Sequence, residues 1–121
     1  MKNKVRFNEL MRERTKAMAV RVVKMYAQID KTDEFRIIGK QLLRSSTSVA
    51  ANYRAACRAR SAKEFFAKIS IVIEEADETL FWLEILEETD LIPSSKLHSL
   101  KKEITEILKI VVTARKNTKA P

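Results

Sequence analysis

A single glycine, Gly39, and two prolines, Pro93 and Pro121, punctuate a chain of 121 residues. Sandwiches and phosphate-cradling loops need many turn residues, so this scarcity argues for long helices joined by few, short connections. The length fits one domain over 1–121, large enough to bury a core and small enough to draw part of its stability from self-association.

The apolar residues recur at helical spacing in four segments. Leu10/Met11, Met18, Val22, Met25 and Ile29 predict a helix over 8–29. The stretch "DKTDE" breaks that pattern, and Thr32 or Asp33 can cap a second helix over 33–59. Its stripe, Phe35, Ile38, Leu42, Ser46, Val49, Tyr53 and Ala56, runs straight through the serine-rich "RSSTSVAANYRAACRARS". That stretch therefore reads as helix, its hydroxyls bonded back to carbonyls one turn earlier and its small side chains admitting a close neighbour. Ser61 and Glu64 form the pattern of a capping box, opening a third helix over 62–88 whose main face is Phe65, Ile69, Val72, Ile73, Ala76, Leu80 and Leu83. Ile71, Phe81, Trp82 and Ile85 lie off that face and make a second patch, expected at an oligomer interface. Pro93 stops the third helix, Ser94 or Ser95 can cap the fourth over 95–115, and 116–121 is expected to be a frayed tail. Four amphipathic helices with short links predict an all-α, antiparallel, up-down-up-down four-helix bundle.

Charge is unevenly placed. The total is +8, yet residues 61–92 carry a net −7, while 1–29, 30–60 and 93–121 carry +6, +4 and +5. A basic chain of this kind attracts polyanions, which makes RNA or DNA an expected partner without specifying a sequence. On the second helix Arg36, Lys40, Arg44, Arg54 and Arg58 fall within a sector of about 80°. Such a stripe can grip phosphates along a nucleic-acid backbone, and it can equally neutralise the acidic third helix. Arg14 and Arg21 on the first helix are further candidate phosphate contacts. Aromatic stacking platforms are scarce: Tyr53 and Trp82 read as core or interface, and Phe7 is the one aromatic near a basic run that is expected to be exposed. No base-reading module is recognisable, so the contacts expected are to the backbone.

Chemistry finds little purchase. A serine nucleophile requires a base and an oxyanion site, and the one histidine, His98, stands far from the serine cluster in a chain without elbow glycines. Glu74–Glu78, "EEADE", lacks the Glu-x-x-His pairs by which bundles hold two irons, since Ser95 stands three before His98. No catalytic residue, metal or cofactor is expected. Cys57 is the lone cysteine and is expected to pack rather than react. The first ten residues carry no signal-like apolar core and no run approaches the length of a membrane span, so a cytoplasmic location without membrane contact is the expectation.

The run Gln41–Leu86, above all "SVAANYRAA" and "AKEFFAKISIVIEEADETLFWLEI", resembles the bacterial four-helix-bundle family named after proteins encoded in intervening sequences of 23S ribosomal RNA genes. The resemblance implies a homopentameric barrel and a relationship to the accessory variability determinant proteins of diversity-generating retroelements, basic pentamers that associate with a reverse transcriptase and nucleic acid. It thus adds self-association and a reverse transcriptase, or another protein, to the expected partners, and no biochemical activity. The commoner family form is closer to "SIPANIAEG" where Ser48–Ala56 stands here, and losing that proline and glycine makes the second helix more continuous. The rival expectation is a protein-interaction module that works through the acidic and apolar faces of the third helix.

Overall fold

The computed structural model describes residues 2–118, which form four helices: α1 (Lys2–Gln28), α2 (Asp33–Cys57), α3 (Ala62–Glu88) and α4 (Ser94–Lys116). They make an all-α four-helix bundle without strands among the described residues. Each helix packs against its neighbours in chain order; α2 and α3 meet most extensively, and α4 closes on α1 only loosely.

The termini of these helices show which local forces act. Thr32 caps α2, its hydroxyl accepting from the Phe35 N–H at 3.1 Å, and Asp33 and Glu34 stand in the first turn where the dipole favours anions. Ser61 Oγ accepts from the Glu64 N–H at 3.1 Å, but the Glu64 carboxylate turns to Arg60 at 3.6 Å, leaving half a capping box. α2 ends at Cys57, two residues before the expected stop, because the Arg58 and Ala59 amides bond to carbonyls three residues back and tighten the last turn. α3 stops by its own turn at Asp90, whose φ of 58° permits the Asp90 N–H to reach the Glu87 carbonyl and the Ile92 N–H to reach that of Leu86. The serines expected to cap α4 do not: Pro93 occupies the cap position, and Ser94 and Ser95 are helical. α1 begins six residues earlier than the expected Asn8, since nothing in that stretch breaks a helix and Asn8 already meets α2. Of the expected tail, Asn117 and Thr118 follow α4 as a turn, and 119–121 lie outside the described residues.

The core joins Met11, Met18 and Val22 of α1 to Phe35, Leu42, Val49 and Tyr53 of α2, with Ile69, Val72, Leu83 and Leu86 of α3 and Leu97, Ile104, Ile107 and Val111 of α4. Leu10, grouped with Met11 from its spacing, is 55 % exposed, because Met11 alone takes the inward position. Ser45 and Ser46 are fully buried. Each donates to a carbonyl three residues earlier, Leu42 and Leu43 respectively, both at 3.3 Å. Across the interface the Thr79 hydroxyl donates to the Glu75 carbonyl at 2.8 Å and lies 3.0 Å from Ser45 Oγ. A satisfied polar layer therefore sits between α2 and α3, where small side chains let the two helices approach.

Candidate nucleic-acid interface

The basic residues of α2 do not behave as one stripe. Arg44 turns across to α3, binding Glu75 at 2.9 Å and also Glu78. Arg36 pairs with Asp33 one turn before it, at 3.4 Å. Lys40, Arg54 and Arg58 are exposed and make no ion pair among the described residues. The stripe is divided: its middle, Arg44, answers the acidic helix, and at its C-terminal end Arg54 and Arg58 face water.

The α1 candidates divide differently. Arg14 spans to α4 and bonds the Glu103 carboxylate through two nitrogens at 2.8 Å each, with Glu106 at 2.8 Å. Those hydrogen bonds, Glu103 first, raise the Arg14 pKa further above its already high value, and the guanidinium in turn holds the Glu103 carboxyl below the ordinary carboxylate range. Arg21 donates to Ser99 Oγ at 2.9 Å. Arg14 is a strut between helices rather than an open phosphate contact.

Antiparallel packing assembles a different cluster. It brings the starts of α1 and α3 together with the ends of α2 and α4, as shown by Tyr53 Oη donating to Asn8 Oδ1 at 3.4 Å and Arg115 reaching Ser70 Oγ at 3.4 Å. Within about two turns of that end the described side chains include Lys4, Arg6, Arg54, Arg58, Arg60, Lys63, Lys68, Arg115 and Lys116 against two carboxylates, Glu9 and Glu64. The opposite end reverses the balance: Lys24, Lys31, Arg36, Lys96 and Lys101, the last bonded to Glu87 at 2.7 Å, stand against Asp30, Asp33, Glu34, Glu84, Glu87, Glu88 and Asp90. A bundle of roughly 40 Å thus has one basic end and one acidic end. Arg60, Lys63 and Lys116 were not singled out from sequence, because their value comes from which helix ends meet. Their one sequence signal is position, each lying next to a helix boundary on the same side of the bundle.

Beneath the basic end, burial pushes the Tyr53 hydroxyl well above its usual pKa, with the neighbouring Cys57 adding to the shift. Burial likewise raises the half-buried Cys57 thiol, so the lone cysteine sits in its less reactive, protonated form. His98 is exposed on α4. Glu75 and Glu78 of the acidic run are engaged by Arg44, and among the described residues no group of His, Cys, Asp or Glu is arranged to hold a metal ion.

The expected interface residues are on the outer side of α3. Ile71 is 37 % and Phe81 48 % exposed, Trp82 and Ile85 half-buried. Phe81 packs edge-on against Trp82 with ring centroids 4.9 Å apart, and the Trp82 indole N–H donates to Glu78 at 3.0 Å. No described helix is long and apolar enough to cross a membrane.

With this geometry in hand, the comparison with known families decides the kinship: the model for the 23S rRNA-intervening sequence protein matches residues 9–113. The chain belongs to that family. A solved structure from the S23 ribosomal protein family of Bacteroides thetaiotaomicron, itself of unknown function, is 34% identical, covering 88% of this chain and 99% of its own, with a TM-score of 0.82. No curated protein matches the sequence. The family thus extends over almost all of the bundle, including the Gln41–Leu86 run, and neither match points to a catalytic family.

Proposed function

We propose that this member of the 23S rRNA-intervening sequence protein family is a non-catalytic, oligomeric accessory protein that holds RNA or DNA by its phosphate backbone. The observation that carries the reading is the segregation of cations at one end of the bundle, where Arg54 and Arg58 are exposed without an ion pair among the described residues. Arginine forks suit phosphate oxygens, and displaced counterions add affinity that falls with salt. A homopentameric barrel, in which Ile71, Phe81, Trp82 and Ile85 serve as interface, gathers five such ends on one side, because cyclic symmetry places equivalent ends together. Weak single contacts then act as a polyvalent surface. In this reading the nucleic acid is presented to a partner enzyme of the reverse-transcriptase kind in the cytoplasm. The exposed apolar and acidic face of α3 favours a second role, in protein interaction, which the assembly itself uses.

Fluorescence anisotropy with labelled RNA and DNA oligomers, at low and near-physiological salt, tests the proposal. The wild type is expected to bind with a steep salt dependence. The Arg54→Glu/Arg58→Glu double variant is expected to lose at least about tenfold in affinity, and about 2 in the log-log salt slope, at unchanged oligomeric state. Undiminished binding by the double variant would move the site elsewhere, and absence of wild-type binding at physiological salt would reject nucleic acid as the ligand.

A further inference from the structure

Phe7, the aromatic beside the basic start of α1, stands 40 % exposed at a cleft of about 620 Å³. The cleft opens at the basic end of the bundle, where the starts of α1 and α3 meet the end of α4. Its volume is of the order that takes one small organic group. Part of its lining is apolar and anchored: Phe65 and Ile110, both half-buried, rest against the core, and Ala114 joins them. Neither Phe7 nor Phe65 is committed to another aromatic ring among the described residues.

The polar part of the lining has one sign of charge. Lys4 and Lys109 are exposed, neither makes an ion pair among the described residues, and no Asp or Glu lines the cleft. Asn8 and Asn117 add two side-chain amides. Asn8 is held by α2: its Oδ1 accepts from Tyr53 Oη at 3.4 Å, which leaves its amide N–H groups to donate. The Cys57 thiol lies 3.8 Å from the Asn8 carbonyl. Tyr53 and Cys57 are the chain neighbours of Arg54 and Arg58, so the cleft adjoins the turns of α2 that carry the two unpaired arginines.

That combination selects among anionic ligands. An aliphatic chain would use the apolar lining and none of the amides. A duplex presents phosphates but keeps its bases stacked inside. A single strand supplies every part at once: a planar base with π-faces, hydrogen-bonding edges, and a phosphate on either side.

We propose that this cleft seats one unstacked base of single-stranded RNA or DNA, its ring against Phe7 and Phe65, its edge toward Asn8 and Asn117, and its flanking phosphates on Lys4 and Lys109. The inference rests on the phosphate-binding reading of the basic end and narrows the ligand to single strands, with little sequence preference because every base has a π-face. None of Ile71, Phe81, Trp82 and Ile85 lines the cleft, so the base site and the proposed assembly patch draw on different residues.

Fluorescence anisotropy with three labelled ligands of equal length tests it: a single strand, the same backbone with abasic sites throughout, and the duplex. The wild type is expected to bind the single strand at least about tenfold more tightly than the abasic strand. Phe7→Leu keeps an apolar side chain and removes the ring. It is expected to lose most of that difference, while its affinities for the abasic strand and the duplex stay within about twofold of wild type, since those contacts are to phosphates. Circular dichroism reports the fold, and Phe65→Leu is the second variant should Phe7→Leu fail to fold. Equal wild-type affinity for the single and abasic strands overturns the base site and leaves the phosphate reading standing. Binding of none of the three ligands overturns both. A preference for the single strand that survives in both Phe7→Leu and Phe65→Leu overturns this cleft as its source.

Discussion

Gly39 stands within α2 as the chain's single glycine, a position where alanine would ordinarily strengthen a helix by about 1 kcal/mol. Here a Cβ would come within 2.6 and 2.8 Å of the Tyr26 ring. That ring is not free to yield: it stacks on Phe35 with centroids 5.2 Å apart, beneath Lys31, whose ammonium is 4.5 Å from the ring centre. Lys31 in turn donates to the Tyr26 and Ile29 carbonyls at the end of α1, the former also accepting from the Ile29 N–H at 3.4 Å. Gly39→Ala is therefore expected to destabilise the fold by about 1–2 kcal/mol, seen as a lower denaturation midpoint in urea. A stabilised variant would show that Tyr26 swings away at little cost. Sequence periodicity places Gly39 within a helix; the close approach of Tyr26 from another helix is a tertiary fact.

At the scale of elements, a charge pair ties α1 to α4 beside their shared core. Arg14 depresses the Glu103 carboxyl, so the unfolded chain, with an ordinary value near about 4.3, takes up that proton first as pH falls. The pair's contribution is full above the unfolded value and is lost as pH drops through the lower, folded one. Glu103→Gln is expected to cost about 1 kcal/mol at pH 7, and to lose less stability than wild type between pH 7 and pH 3 when followed by urea unfolding. Parallel acid limbs for the two proteins would assign the pair no role. The sequence made the four helices legible because each has a stripe at helical spacing, apolar but for Ser46 in α2, and Thr32 marks a start by simple hydrogen-bond chemistry. Local rules failed where neighbours intervened: Ser94 and Ser95 follow Pro93 into the helix rather than cap it, and Leu10 yields the core to Met11.

For the whole molecule, the arrangement of charge matters more than its sum. Joining alternate helix ends turns a net +8 into a basic pole and an acidic pole. If assembly covers the exposed apolar side of α3, native protein is drawn into oligomers and the melting temperature rises with protein concentration. Scanning calorimetry over a hundredfold range of concentration checks this, and a constant value would speak for an isolated bundle. From the sequence alone follow the helical class, the approximate helix spans, the excess of cations and the apolar patch on α3, because these depend on periodicity and composition within single segments. Only the tertiary structure decides that Arg44 answers Glu75 and Glu78, that Arg14 ties α1 to α4, and that Arg54 and Arg58 share an end with Lys63 and Lys116. Partnership between charges falls off within a few ångströms, and distances that short between residues far apart in the chain are set by how the helices pack.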